Sequence, residues 1–136
     1  MKTTNYYDTF IQIADDSSAK SGEIPPQKSE DKTVASIQFE MISENPYKYT
    51  SDDILFSVHE IKNKINSKGF NTERENFFSK GQPCFRSSPL TKRYGWGVHS
   101  NAEGKIAIHA VESSAYKKLS KDKKLVQLKA MRSKRV

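Results

Sequence analysis

The chain has 136 residues, 35% of them hydrophobic and 29% charged, with a formal net charge of +7. That is the length of one domain, and the 14 aromatics (7 Phe, 6 Tyr, 1 Trp) exclude a wholly disordered chain, since they can anchor one modest core. Apolar runs of only a few residues exclude a membrane-spanning helix, and a single cysteine excludes an internal disulfide.

The first ten residues hold one lysine, tyrosines and polar side chains rather than the apolar centre of a signal peptide. With the lone cysteine, this makes the cytoplasm the expected location. From Asn5 to Ile13, Tyr7, Thr9, Ile11 and Ile13 alternate on one side, which predicts a strand. Ala14 to Lys32 is rich in Ser, Asp and Lys and contains Pro25-Pro26, so a long loop is expected.

Thr33 is placed to cap a helix over Val34 to Ser43, with Val34, Ile37 and Met41 on one face. Asn45-Pro46 stops it. A second helix starts near Thr50 or Ser51. Asp52 and Asp53 favour its dipole, Ile54, Leu55, Val58, Ile61 and Ile65 form its apolar stripe, and Gly69 is placed to end it. The Thr72-Glu73-Arg74-Glu75 run reads as a capping box for a short third helix through Phe77 and Phe78, ending at Gly81. A short strand is expected near Phe85.

Two registers compete for the hairpin between Gly95 and Val111. A four-residue loop opposes Val98 to Ala107. A three-residue loop, Ala102-Glu103-Gly104, opposes Val98 to Ile108 and collects Trp96, Val98, Ile106, Ile108 and Ala110 on one face. The second register segregates apolar from polar residues, leaves His99 and His109 as diagonal neighbours on the outer face, and gives Gly104 the left-handed turn position. Ser113 or Ser114 then caps a last helix through Tyr116 and Leu119.

The remaining residues concentrate the charge. Residues 117–136 hold 9 basic and 1 acidic side chain, against 5 basic and 11 acidic in residues 1–60 and 9 basic and 4 acidic in 61–116. A near-neutral body with a basic C-terminal tail is therefore expected, with Leu119, Val126 and Met131 as an apolar stripe should the tail be helical. Such a tail is either a solvated end or a contact for nucleic acid or a membrane surface.

Residues 84–97 hold the densest chemistry. Arg86, Lys92 and Arg93 are cations, Ser87, Ser88 and Thr91 are hydroxyl donors, and Tyr94 and Trp96 offer flat surfaces. These types together suit an anionic ligand, yet no glycine-rich phosphate fingerprint accompanies them. The plainer reading is a turn in which Pro89 and Leu90 plug the core. Cys84 becomes a nucleophile only with a base such as His99 or His109 beside it; as a lone cysteine it also reads as a small buried residue. The three histidines form no local metal motif; the diagonal pair His99 and His109 allows a shared ion only if a carboxylate joins them, the plainer reading is two solvated imidazoles, and no metal or other cofactor is called for.

Several long words point to a family. Thr4-Asn5-Tyr6-Tyr7-Asp8-Thr9-Phe10, Ser21-Gly22-Glu23-Ile24-Pro25-Pro26, Gln38-Phe39-Glu40 and Asn45-Pro46-Tyr47-Lys48-Tyr49-Thr50-Ser51-Asp52-Asp53 resemble a family of small bacterial proteins with no assigned activity. So do Phe78-Ser79-Lys80-Gly81-Gln82-Pro83-Cys84, Arg86 through Gly97, and Glu112-Ser113. The likeness covers residues 3–119 and implies a bacterial, cytosolic protein with residues 120–136 as an extension.

The expectation is thus an α+β domain over 1–119 with a basic tail over 120–136. A small antiparallel sheet of three to four strands, including the 95–111 hairpin, carries helices on one face. In function it is expected to be a binding or interaction domain with an anionic-ligand site at Arg86, Ser87, Ser88, Thr91, Lys92, Arg93, Tyr94 and Trp96. The alternatives are an enzyme using Cys84 with His99 and His109, and nucleic-acid binding through 117–136.

Overall fold

The computed structural model describes residues 2–26, 32–63 and 70–132. The elements run β1 (Thr9–Gln12), α1 (Val34–Glu44), α2 (Ser51–Asn63), α3 (Phe70–Ser79), a 3-10 turn (Phe85–Ser87), α4 (Pro89–Lys92), β2 (Trp96–Ser100), β3 (Ile106–Ala110), α5 (Ser114–Ser120) and β4 (Val126–Lys129). The strands form one sheet in the order β3-β2-β1-β4. Its β1–β2 and β2–β3 pairs are antiparallel and its β1–β4 pair is parallel. The fold is α+β, as expected.

The hairpin has the three-residue loop. Val98 pairs with Ile108, Asn101 N–H donates to Lys105 O at 3.0 Å, and Gly104 takes φ +81, the left-handed conformation that its lack of a Cβ permits. The face bearing Ile11, Val98 and Ile106 meets Ile42 of α1, Ile54 of α2, Phe85, Leu90 and Ala130 in one buried cluster. Each large aliphatic buried there contributes about 1.5–3 kcal/mol over leaving it exposed.

The opposite face is covered by α5. Its Tyr116 ring meets Phe10 edge-on at 5.0 Å, and its hydroxyl accepts from Ile13 N–H at 2.9 Å. Helix α5 carries the chain from the β3 edge to the β4 edge, which is why β4 runs parallel to β1.

Helix starts follow local chemistry. Thr33 Oγ1 accepts from Ser36 N–H at 3.1 Å. At α2, Thr50 Oγ1 accepts from Asp53 N–H while Asp53 Oδ2 accepts from Thr50 N–H, a reciprocal cap that satisfies two end donors. Ser113 Oγ caps α5 by accepting from Tyr116 N–H.

Several expectations are corrected. Strand β1 spans only Thr9–Gln12, and Tyr7 is 55% exposed. Ile61 points outward from α2, while Ile65 and Gly69 lie outside the described residues. Helix α3 starts before Thr72, which is therefore no N-cap. The strand expected near Phe85 is a 3-10 turn leading into α4, where Ser88 caps and Pro89 fills the first turn.

The largest correction concerns the tail expected over 120–136, of which residues 120–132 are described. Val126–Lys129 pair with all four residues of β1, Ala130 is buried, and Met131 N–H donates to Arg86 O at 2.8 Å. The domain therefore continues past Leu119, and Val126 and Met131 are exposed residues in and beside a strand instead of a helical stripe. A sheet edge left open beside β1 gains more from a fourth strand than a solvated tail would offer.

Candidate functional site

The eight residues expected to hold an anion do not gather. Ser88 is buried; its Oγ donates to Gln38 Oε1 at 2.6 Å and accepts from Leu90 N–H. Thr91 is fully buried and donates to Phe85 O at 2.6 Å. These hydroxyls hold the 85–92 turns together. Arg86 Nε donates to Lys129 O at 2.8 Å, Ser87 Oγ donates to Met131 Sδ at 3.0 Å, and Arg93 is exposed. Trp96 packs on Phe39 and donates its indole N–H to Glu23 O at 2.8 Å. Tyr94 O accepts from Glu23 N–H, and Lys92 is half-buried at the end of α4. Leu90 is fully buried in the core, the role the plainer reading gave it.

A groove of about 400 Å³ lies beside this segment, between α1, α2, α3 and residues 82–89. Its apolar walls include Val34, Leu55, Val58, Phe77 and Pro89. Polar groups enter through Gln38, His59, Cys84, Ser87 and Ser88. Of the eight expected residues only Ser87 and Ser88 line it, and none of the three cations does. His59 stacks on Phe77 with ring centres 4.5 Å apart, and its Nδ1 is 3.1 Å from Asn63 Nδ2.

Cys84 lines this groove, with Sγ 3.2 Å from the Tyr6 hydroxyl. Burial, together with the hydrogen bond and charge of Cys84, pushes the Tyr6 phenol up to about 12, against a smaller opposing pull from Arg86. The phenol therefore keeps its proton throughout the neutral range, and either it or the thiol can donate in this contact. His99 and His109 cannot act on Cys84, because they project from the other face of the sheet: His99 follows Val98, which faces the core beside Phe85. The histidine that shares Cys84's groove is His59.

His99 and His109 have a different companion. Tyr47 Oη lies 2.8 Å from His99 Nδ1 and 3.1 Å from His109 Nε2. Burial holds both imidazoles below the ordinary histidine range; His99 adds to this at His109, while Asp122 and Asp8 pull His99 partly back. Burial also raises the Tyr47 phenol. The register made the two histidines neighbours in advance. Tyr47, His59, Tyr6 and Gln38 were not foreseen, and only the Asn45-Pro46 turn gave any signal for Tyr47.

Among the described residues no helix is long and apolar enough to cross a membrane. No curated protein and no solved structure matches the chain. The family model does match, over residues 1–136 and so beyond the expected limit at Leu119, and the chain accordingly belongs to the family of unknown function DUF6157.

Proposed function

We propose that the protein is a cytosolic binding domain whose ligand is a small, largely apolar molecule with one hydrogen-bonding edge, held in the groove beside Cys84. The observation that carries this reading is the groove itself. Its volume of about 400 Å³ falls in the range of small-molecule sites, and apolar walls with a few convergent polar groups are what such sites offer. The Gln38 amide and Ser87 meet the polar edge; the walls from α1 and α2 take the rest. Among the described lining residues Lys62 is the one Lys or Arg, and with so little positive charge from them a neutral or weakly acidic ligand suits this wall better than a phosphate. The free Cys84 thiol fits a reducing compartment.

Ligand-observed NMR against a fragment library tests the proposal, with Pro83→Trp as the groove-filling variant. Fragments should bind the native chain, raise its Tm and lose binding in the variant. Failure of every fragment, or binding indifferent to Pro83→Trp, overturns it. Nucleic-acid binding is the competing reading. It rests on the exposed Lys117, Lys118, Lys121, Lys123 and Lys124 around the end of α5 and requires affinity that falls steeply with salt.

A further inference from the structure

We propose that Tyr47, His99 and His109 form a binding site for a divalent transition-metal ion of the copper–zinc class, coordinated by Tyr47 Oη, His99 Nδ1 and His109 Nε2. The site is independent of the groove, on the opposite face of the sheet. Its basis is convergence. Two ring nitrogens of different kinds, one Nδ1 and one Nε2, are aimed at a single phenolic oxygen at 2.8 and 3.1 Å. Ligands bound at 2.0–2.1 Å lie ~3.3 Å apart around a tetrahedral ion and ~2.9 Å apart at the corners of a square-planar one. The two O···N separations, 2.8 and 3.1 Å, bracket the shorter of these values, so the phenolic oxygen is spaced from each nitrogen as neighbouring ligands of one ion are.

The donors stand on a fixed platform. His99 and His109 lie on paired strands, diagonal to one another across the Gly97–His109 and His99–Ala107 pairs. Tyr47 is tied to the same hairpin, its N–H donating to Ile106 O at 2.9 Å while Ile106 N–H donates to Tyr49 O at 2.9 Å. Tyr47 holds φ +58, a left-handed conformation uncommon for a bulky residue, and in it the phenol reaches both imidazoles. The phenol is the third donor beside the two imidazoles, since among the described residues no Cys, Asp or Glu joins them.

Imidazole and phenolate are donors that suit copper and zinc. Tyr47 is 37% exposed, leaving water room to complete the coordination shell. Without metal, the single phenolic proton serves one imidazole and the other must donate its own N–H to Oη. Metal binding releases the phenolic proton to solvent and moves that N–H to the far nitrogen of its ring.

The test is calorimetric titration of the chelator-treated full chain with Cu(II) and Zn(II), with EPR and visible spectra of the copper form. One equivalent of either ion should bind. The copper form should show nitrogen hyperfine structure and a phenolate-to-copper charge-transfer band. His99→Gln and His109→Gln should each weaken binding about 10-fold or more. Tyr47→Phe should abolish the band while remaining folded by circular dichroism. Absence of stoichiometric binding, binding that survives the His99→Gln/His109→Gln double variant, or a band that persists in Tyr47→Phe would each overturn the assignment.

Discussion

Thr4 delivers both its backbone N–H and its hydroxyl to the same oxygen, Asp52 Oδ1, each at 2.7 Å. The other oxygen accepts from the Thr3 hydroxyl at 2.7 Å. Asp52 is 2% exposed, so the carboxylate read as a dipole partner at the start of α2 also clamps the N-terminal segment to that helix. Ser51 Oγ, 2.8 Å from Thr4 Oγ1, donates into the same cluster, because the Thr4 proton is committed to the carboxylate.

Replacing Asp52 with Ala leaves these buried donors without an acceptor, a loss of about 3 kcal/mol. Asp52→Asn keeps one carbonyl oxygen and should cost less. Urea denaturation of the two variants should give that order of midpoints; equal midpoints for Asp52→Ala and the native chain would show that the clamp contributes nothing.

Truncation after Leu125 should cost about 3 kcal/mol or more. It removes the β4 ladder on β1, the partly buried Leu128 and the buried Ala130, together with the hydrogen bonds joining Arg86 to Lys129 and Met131. Thermal unfolding of the shortened chain is the measurement. A Tm unchanged from the native value would return residues 126–132 to the status of an appendage.

What the sequence reveals depends on the distance over which each feature is determined. The hairpin is legible because Gly104 and the alternation of Val98, Ile106 and Ile108 act within a few residues of each other. Strand β4 is not: Val126, Gln127 and Lys129 are exposed, so it shows no alternating burial. Its partner is β1, with Gln12 bonded to Gln127 at 2.9 Å across more than a hundred residues. The same holds for the sites. The proximity of His99 and His109 follows from the register, whereas Tyr47 joins them through a positive φ that a tyrosine does not advertise. Ser88 and Thr91 misled because a hydroxyl committed to a turn is the same residue type as one waiting for a ligand.

Two pH windows should separate in the stability profile. With His99 and His109 held below their unfolded value, mainly by burial, the unfolded chain takes up protons first. Stability present above about pH 6.5 is then lost as the pH falls toward the folded values. Burial pushes the Asp53 carboxyl up, but the Thr50 N–H and the Arg74 guanidinium, 2.9 Å away, outweigh it and leave it below the usual range. Its contribution is lost only as the pH drops below about 4. The double variant His99→Gln/His109→Gln should flatten the upper descent and keep the lower one, read from urea midpoints across pH 3–8. A profile unaffected by the double variant would mean that the histidines titrate alike folded and unfolded.

Gly97 separates a packing requirement from a conformational one. It sits in β2 on the face covered by α5, and an added Cβ would lie 2.6 Å from Phe10 Cζ and 2.6 Å from Tyr116 Cε2. Both rings are almost completely buried and locked edge-to-face, and the Tyr116 hydroxyl is anchored by Ile13 N–H. Neither can swing away as the tip of a flexible side chain would. Gly97→Ala should therefore cost about 2 kcal/mol through overpacking and lower the Tm. Gly81→Ala is the control: the added methyl meets only Lys2 Cδ at 3.9 Å, and the change should be near neutral. Pairing Gly97→Ala with Phe10→Leu should recover part of the loss, since a leucine is less bulky at the point of collision. Were Gly97→Ala as stable as the native chain, α5 would have to pack less tightly on the sheet than the Phe10–Tyr116 contact requires.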